Sequence, residues 1–290
     1  MYRNKTKTTI ACFIGTIILA LSTPTQSIGR GADASRERAV ALWEEAIRAK
    51  GGHERLQSIN NFLISSMIDT EAQRGNSTTE AERLYAMPGK AWIYTITPTF
   101  DVSVDATVIN HERNFCMVTL SPAGGGVPPL SHCLPTTPVQ YLIQDPVIYL
   151  METNWVRPVP ESVRTEGKGK KQLDVIETEI GNLRVDFYLD PKTRLPVKLV
   201  TKWYGGIGQA TGPLGLMTVE LGNYVAIDGI LMPQRVTREP QVGARSVGEV
   251  SRRDTERARY RFNVTYNPAI FEYPASKNVK PDDWKPRRDT

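Results

Sequence analysis

Hydrophobic and polar residues recur along this chain with two periods. Near the start, Ala39/Val40, Trp43 and Ala46/Ile47 return every three or four residues and draw one apolar stripe. The spacing predicts a helix over 33–50, capped by Asp33 or Ser35, with Arg48 and Lys50 suited to the negative end of its dipole. Gly51-Gly52 stops it, because glycine takes the left-handed conformation after a helix at little cost.

Beyond that point the period is two. Phe62, Ile64 and Ile68 alternate with Ser65 and Asp69, and Val102, Val104, Ala106 and Val108 with Asp101, Ser103, Asp105 and Thr107. The same pattern runs through Val185–Leu189, Leu195–Trp203, Met217–Val225 and Tyr260–Tyr266. One apolar and one wet face per strand predict an antiparallel sheet of roughly nine to eleven strands. Asp190-Pro191-Lys192-Thr193-Arg194, Asp228-Gly229 and Gly167–Lys171 read as turns between strands. A sheet of that size twists and curls, and an apolar concave face must be filled by helix or ligand.

Two stretches break the period. Residues 121–138 are rich in proline and glycine and predict a long loop. Residues 139–151 (VQYLIQDPVIYLM) are apolar around too much of the circumference for a surface helix. They predict a helical plug or lid, kinked or split at Pro146. The charged segment 276–290 predicts a frayed tail.

The first 27 residues stand apart. Arg3, Lys5 and Lys7 precede an apolar run of 12 residues, Ile10–Leu21. A membrane span needs about 20, so the run reads as a secretory signal peptide, with cleavage expected after Ser22 or Ser27. The expected layout is a signal peptide over 1–27, one domain over 28–275 and the tail over 276–290. The expected location is the periplasm or another exported compartment.

Export changes how the composition reads. The whole chain of 290 residues carries a formal +5, but the leader holds three positive charges and no acid, leaving +2. No case for a nucleic-acid partner survives that subtraction. Mean hydropathy of −0.33 excludes a polytopic helical membrane protein. Of three cysteines, Cys116 and Cys133 lie outside the leader. An oxidising compartment makes them a candidate disulfide, and two small buried hydrophobes are the alternative.

Catalytic signatures are missing from the sequence. His53, His111 and His132 form no H-E-x-x-H, and His111, Cys116, His132 and Cys133 fit no usual zinc spacing. There is no nucleophile elbow and no P-loop. The expectation is a protein that is not an enzyme and needs no metal or other cofactor. Eight arginines crowd residues 235–261 with four acids among them. That hairpin is a candidate surface for an envelope partner or lipid head groups, with Arg252 and Arg253 foremost. The bland alternative is internal ion pairing.

Several segments, in order, resemble the periplasmic lipoprotein-carrier superfamily, the LolA/LolB-like proteins: LQSINNFLISSMIDT, RLYAMPGKAWIY, DVSVDATVINHERNFCMVTL, VDFYLDPKTRLPVKLV and FNVTYNPAIFEYP. The resemblance covers about residues 35–275. It implies an α+β fold: a large curved antiparallel sheet, an unclosed β-barrel, with an N-terminal helix and short helices covering the concave face. It implies a monomer that takes a lipid or lipoprotein acyl chain, or another apolar ligand, in that concavity. The candidate apolar lining is Trp92, Tyr94, Phe115, Met117, Tyr141, Ile148, Tyr149 and Trp203. In the carriers an arginine before the strand-leading proline helps to hold the lid; here Met87 stands before Pro88.

Overall fold

The structure is a computed structural model, and it describes residues 27–72, 75–87, 89–97, 103–110, 116–119, 130–133, 145–151, 157–180, 183–204, 213–242 and 252–271. Residues 1–26, with the expected cleavage point after Ser22, the segment 276–290, residues 139–144, and Phe115 and Tyr141 lie outside that set, whereas Ser27, the other expected cleavage point, lies within it.

Helix α1 spans Ser27–Lys50 and α2 spans His53–Gln57. Strands β1–β4 follow at Asn61–Ala72, Ser77–Ala86, Lys90–Thr97 and Ser103–Asn110, and a short pair at Cys116–Thr119 (β5) and Leu130–Cys133 (β6). A 3-10 segment covers Pro146–Met151. Strands β7–β13 then run at Val159–Glu166, Leu173–Ile180, Leu183–Leu189, Pro196–Tyr204, Pro213–Ile227, Ile230–Val242 and Arg252–Phe262.

Eleven strands make one sheet in the order β4-β3-β2-β1-β13-β12-β11-β10-β9-β8-β7, every neighbouring pair antiparallel. Its edges, β4 and β7, do not pair with each other, so the sheet is curved and unclosed. The first four strands run out from the centre to one edge. The last seven run back from the other edge, until β13 pairs with β1. One connection must therefore pass from edge to edge, and the 3-10 segment lies within it.

The predicted turns close as their chemistry requires. Asp228 (φ 51°) and Gly229 (φ 78°) join β11 to β12 with Ile227 opposite Ile230, a tight two-residue hairpin. Asp190 accepts from the backbone N–H groups of Lys192 and Thr193 at 3.0 and 2.8 Å. Gly51 does more than end α1. A Cβ there would stand 2.7 Å from the Gly229 carbonyl oxygen, so the close approach of helix end to hairpin requires glycine.

The principal core lies between the inner face of the sheet, the apolar stripe of α1 and the 3-10 segment. Ala39, Leu42, Trp43, Ala46 and Ile47 supply the stripe, and Trp43 meets Phe187 edge-on at 4.9 Å. Ser35 also accepts the Val163 N–H at 3.2 Å, so the helix covers part of the β7 edge, where free backbone groups would invite another strand. The opposite face carries two smaller apolar clusters, one around Trp92 and Phe271 and one around Val175 and Tyr188.

A latched plug on the inner face and a charged groove on the outer one

The apolar run predicted as a kinked helix is described from Asp145 onward, and it is a 3-10 turn starting at Pro146. The local sequence explains this. Proline lacks an N–H, which costs nothing at a first helical position. Asp145 accepts from the Val147 N–H through its side chain at 3.2 Å and from the Ile148 N–H through its carbonyl at 3.1 Å. Val147, Ile148, Tyr149, Leu150 and Met151 are all buried in the principal core. This six-residue segment plugs the part of the concave face it covers. Burial pushes the Tyr149 hydroxyl well above its usual pKa.

Polar latches hold both ends of the plug. At its start, the Asp145 carboxylate accepts from the Arg83 guanidinium at 2.8 Å and from the Tyr85 hydroxyl at 2.7 Å, with Arg238 at 3.7 Å. At its end, Lys50 at the tip of α1 donates to the Leu150 carbonyl. Glu256 on β13 completes the first latch, ion-paired with Arg83 and with Arg238 at 2.6 Å. The four side chains come from β2, β12, β13 and the plug, and each is at most 8% exposed. Burial alone would raise the Glu256 carboxyl, but the two guanidiniums outweigh it and lower its pKa to about 2. Burial likewise opposes the charge on Arg83, and Asp145 and Glu256 more than restore it. Arg83 Nε finds no hydrogen-bond partner among the described residues.

Sequence reading singled out none of these four groups, nor Lys50, as a contact of the plug. Met87, before Pro88, packs half-buried against the principal core. Arg83, four residues earlier, reaches the plug instead.

The predicted lining residues divide. Ile148 and Tyr149 lie on the plug itself. Register sets Trp203 opposite Leu183 of the inner face, and Met117 opposite His132 in the β5–β6 pair. Trp92 and Tyr94 lie on the outer face, stacked at 5.7 Å with rings 7° from parallel, in the cluster that Phe271 covers. They share no surface with the plug.

The outer face also carries a groove of about 800 Å³. Arg257, Arg259 and Arg261 alternate along β13 on one side, Glu80 and Glu82 of β2 stand across from them, and Ser65 and Met67 of β1 lie between. Tyr94 and Ile96 close the far end. Arg257 pairs with Asp69 at 2.9 Å. Arg259 and Arg261 are exposed and have no ion pair among the described residues. Arg252 and Arg253, the foremost candidates from sequence, are paired with Asp254 at 2.9 Å and Glu239 at 3.3 Å. Among the described residues no group of His, Cys, Asp and Glu gathers that could hold a metal ion, and no helix is long and apolar enough to cross a membrane.

No protein-family model and no curated protein matches the chain. Solved structures do. A DUF1329 family protein from Desulfovibrio piger is 11% identical, with 81% of this chain and 97% of that one covered at a TM-score of 0.48. A Vibrio parahaemolyticus domain described as an outer membrane lipoprotein-sorting protein is 11% identical, covering 83% and 97% at 0.45. MucB in the MucA/MucB complex of Pseudomonas aeruginosa is 10% identical, covering 79% and 100% at 0.22. These are likenesses of chain trace, and any function rests on this chain's own residues.

Proposed function

We propose that the protein is an exported, non-catalytic carrier that holds the acyl chain of a lipid or lipoprotein, or another apolar ligand, against the concave face, in the place the plug occupies. The plug supports this reading. It is a short separate segment that buries apolar side chains and is fastened at both ends by polar groups from other elements.

The magnitudes suit an exchange. Burying Val147, Ile148, Leu150 and Met151 is worth about 1.5–3 kcal/mol each, or about 6–12 in all. An acyl chain of about sixteen carbons offers about 0.8 kcal/mol per CH₂, or about 12. Plug and ligand are thus matched in hydrophobic worth, and the latch decides which one occupies the face. A buried ion cluster is often no more stabilising than apolar residues of the same volume. Its use here is to fasten a segment that must let go.

Titration with cis-parinaric acid, a fluorescent fatty acid, tests this. The expected result is saturable uptake near one per chain, with about tenfold tighter binding in Asp145→Asn, which weakens the latch but keeps the side-chain shape. No uptake by either protein, both folded by circular dichroism, refutes it.

A second reading places binding on the outer groove, where Arg259 and Arg261 are unpaired among the described residues and an anionic head group or envelope partner would find two free guanidiniums. Cosedimentation with phosphatidylglycerol vesicles separates the two. The groove reading expects loss of binding in Arg259→Ser/Arg261→Ser and none in Arg252→Ser/Arg253→Ser.

A further inference from the structure

We propose that Cys116 and Cys133 are joined in an intramolecular disulfide that fixes β5 against β6 and anchors the connection from which the plug hangs.

The register carries the proposal. In this antiparallel pair Cys116 stands directly opposite Cys133, with Met117 against His132, Val118 against Ser131 and Thr119 against Leu130. Directly opposed residues of an antiparallel pair have Cα atoms about 4.5–5.5 Å apart. Disulfides span Cα separations of about 4.4–6.8 Å. The two cysteines are thus at bonding distance by backbone placement alone. The remaining cysteine of the chain, Cys12, lies in the segment read as the leader.

A staple has a physical task at this place. Each strand of the pair is only four residues long, and the two form a sheet of their own. The ribbon lies beside β4 but pairs with no third strand, and a two-stranded ribbon is marginally stable. No two-residue turn sets its register, because ten residues separate the strands, Gly124-Gly125-Gly126 among them. A wrong register by one residue would turn every side chain over. A covalent bond at the open end of the ribbon fixes the register where the turn cannot. The ribbon follows β4 at one edge of the sheet, and the plug begins 13 residues after Cys133 on the way to the other edge.

The chemistry balances with a disulfide-form dithiol oxidoreductase as oxidant. One cysteine thiolate attacks its disulfide, giving a mixed disulfide and releasing one oxidoreductase thiolate. The second cysteine thiolate attacks the mixed disulfide, closing Cys116–Cys133 and releasing the oxidoreductase as a dithiol. Two electrons and two protons leave the chain. Neither step depends on the ligand.

The test is peptide mapping of the full chain, exported from its host, acid-quenched and alkylated with iodoacetamide before and after reduction. The expected result is one cross-linked peptide pair holding 116 and 133, and alkylation of both only after reduction. Alkylation of both before reduction, or cross-links between two chains, overturns the proposal. A second measurement bears on the anchoring. Cys116→Ser/Cys133→Ser is expected to be cleaved by thermolysin within the strands, 116–119 or 130–133, at least about tenfold faster, because cleavage there follows the population of the opened ribbon. An unchanged rate overturns the anchoring role.

Discussion

Arg83 and Arg164 each gather carboxylates, on opposite faces of one sheet. Arg83 is 7% exposed, and its partners Asp145 and Glu256 are 2% and 0%. Arg164 is 33% exposed; it meets Glu166 and Asp186 at 2.8 Å, and Glu177, with two of the three acids open to solvent. The surface cluster gains little, because water already solvates its charges and screens their attraction. The buried cluster has no water to fall back on. Removing one partner leaves an uncompensated charge among the others in the core. The difference teaches that an ion cluster gains mechanical consequence from where its members are rooted. Arg164 ties strands that the sheet already pairs, whereas Arg83 ties the sheet to a segment that backbone pairing does not hold.

The largest expected effect breaks the buried side of that contrast. Arg83→Met leaves Asp145 and Glu256 with Arg238 alone, at 3.7 and 2.6 Å, and is expected to cost about 3–5 kcal/mol, read as a lower urea midpoint. Asp145→Asn comes next, at about 1–3 kcal/mol. Its signature is local: faster amide exchange over 146–151 with the sheet strands unchanged. Acid is the third probe. Glu256 is held at a pKa of about 2, below its ordinary value, so its contribution is complete above the usual glutamate range and is lost as pH falls toward 2. Stability is expected to fall between about pH 4.5 and 2, and the fall shrinks in Glu256→Gln; an unchanged pH profile in that variant removes the cluster from the account. The smallest effect belongs to the surface. Arg164→Ala is expected to change stability by about 0–1 kcal/mol and leave exchange in the plug untouched.

Much of the frame was legible in the sequence. The stripe of α1, the period-two strands and the Asp228-Gly229 hairpin are local signals, and the structure follows them. Residues 139–151 announced a plug because they are apolar all round, yet proline and a capping Asp145 shorten the described part to a 3-10 turn. The latch was not legible. Arg83 and Glu256 sit 173 residues apart, and each looks like the polar partner in an alternating strand. Only the register that places Ile64 against Arg83 and Ile68 against Glu256 turns them inward. The side faced by Trp92 was hidden for a related reason. Alternation separates two faces but does not say which is concave, and here both carry apolar residues: Ile93 belongs with the plug side, and Trp92 with the cluster under Phe271.

The most direct test of the central claim is hydrogen exchange over residues 145–151 with and without saturating cis-parinaric acid. An exchangeable plug predicts that the fatty acid strips protection from the Val147–Met151 amides while strands β1 and β13 keep theirs. Full protection of the plug in the presence of bound fatty acid would contradict it, and would place the ligand elsewhere on the molecule.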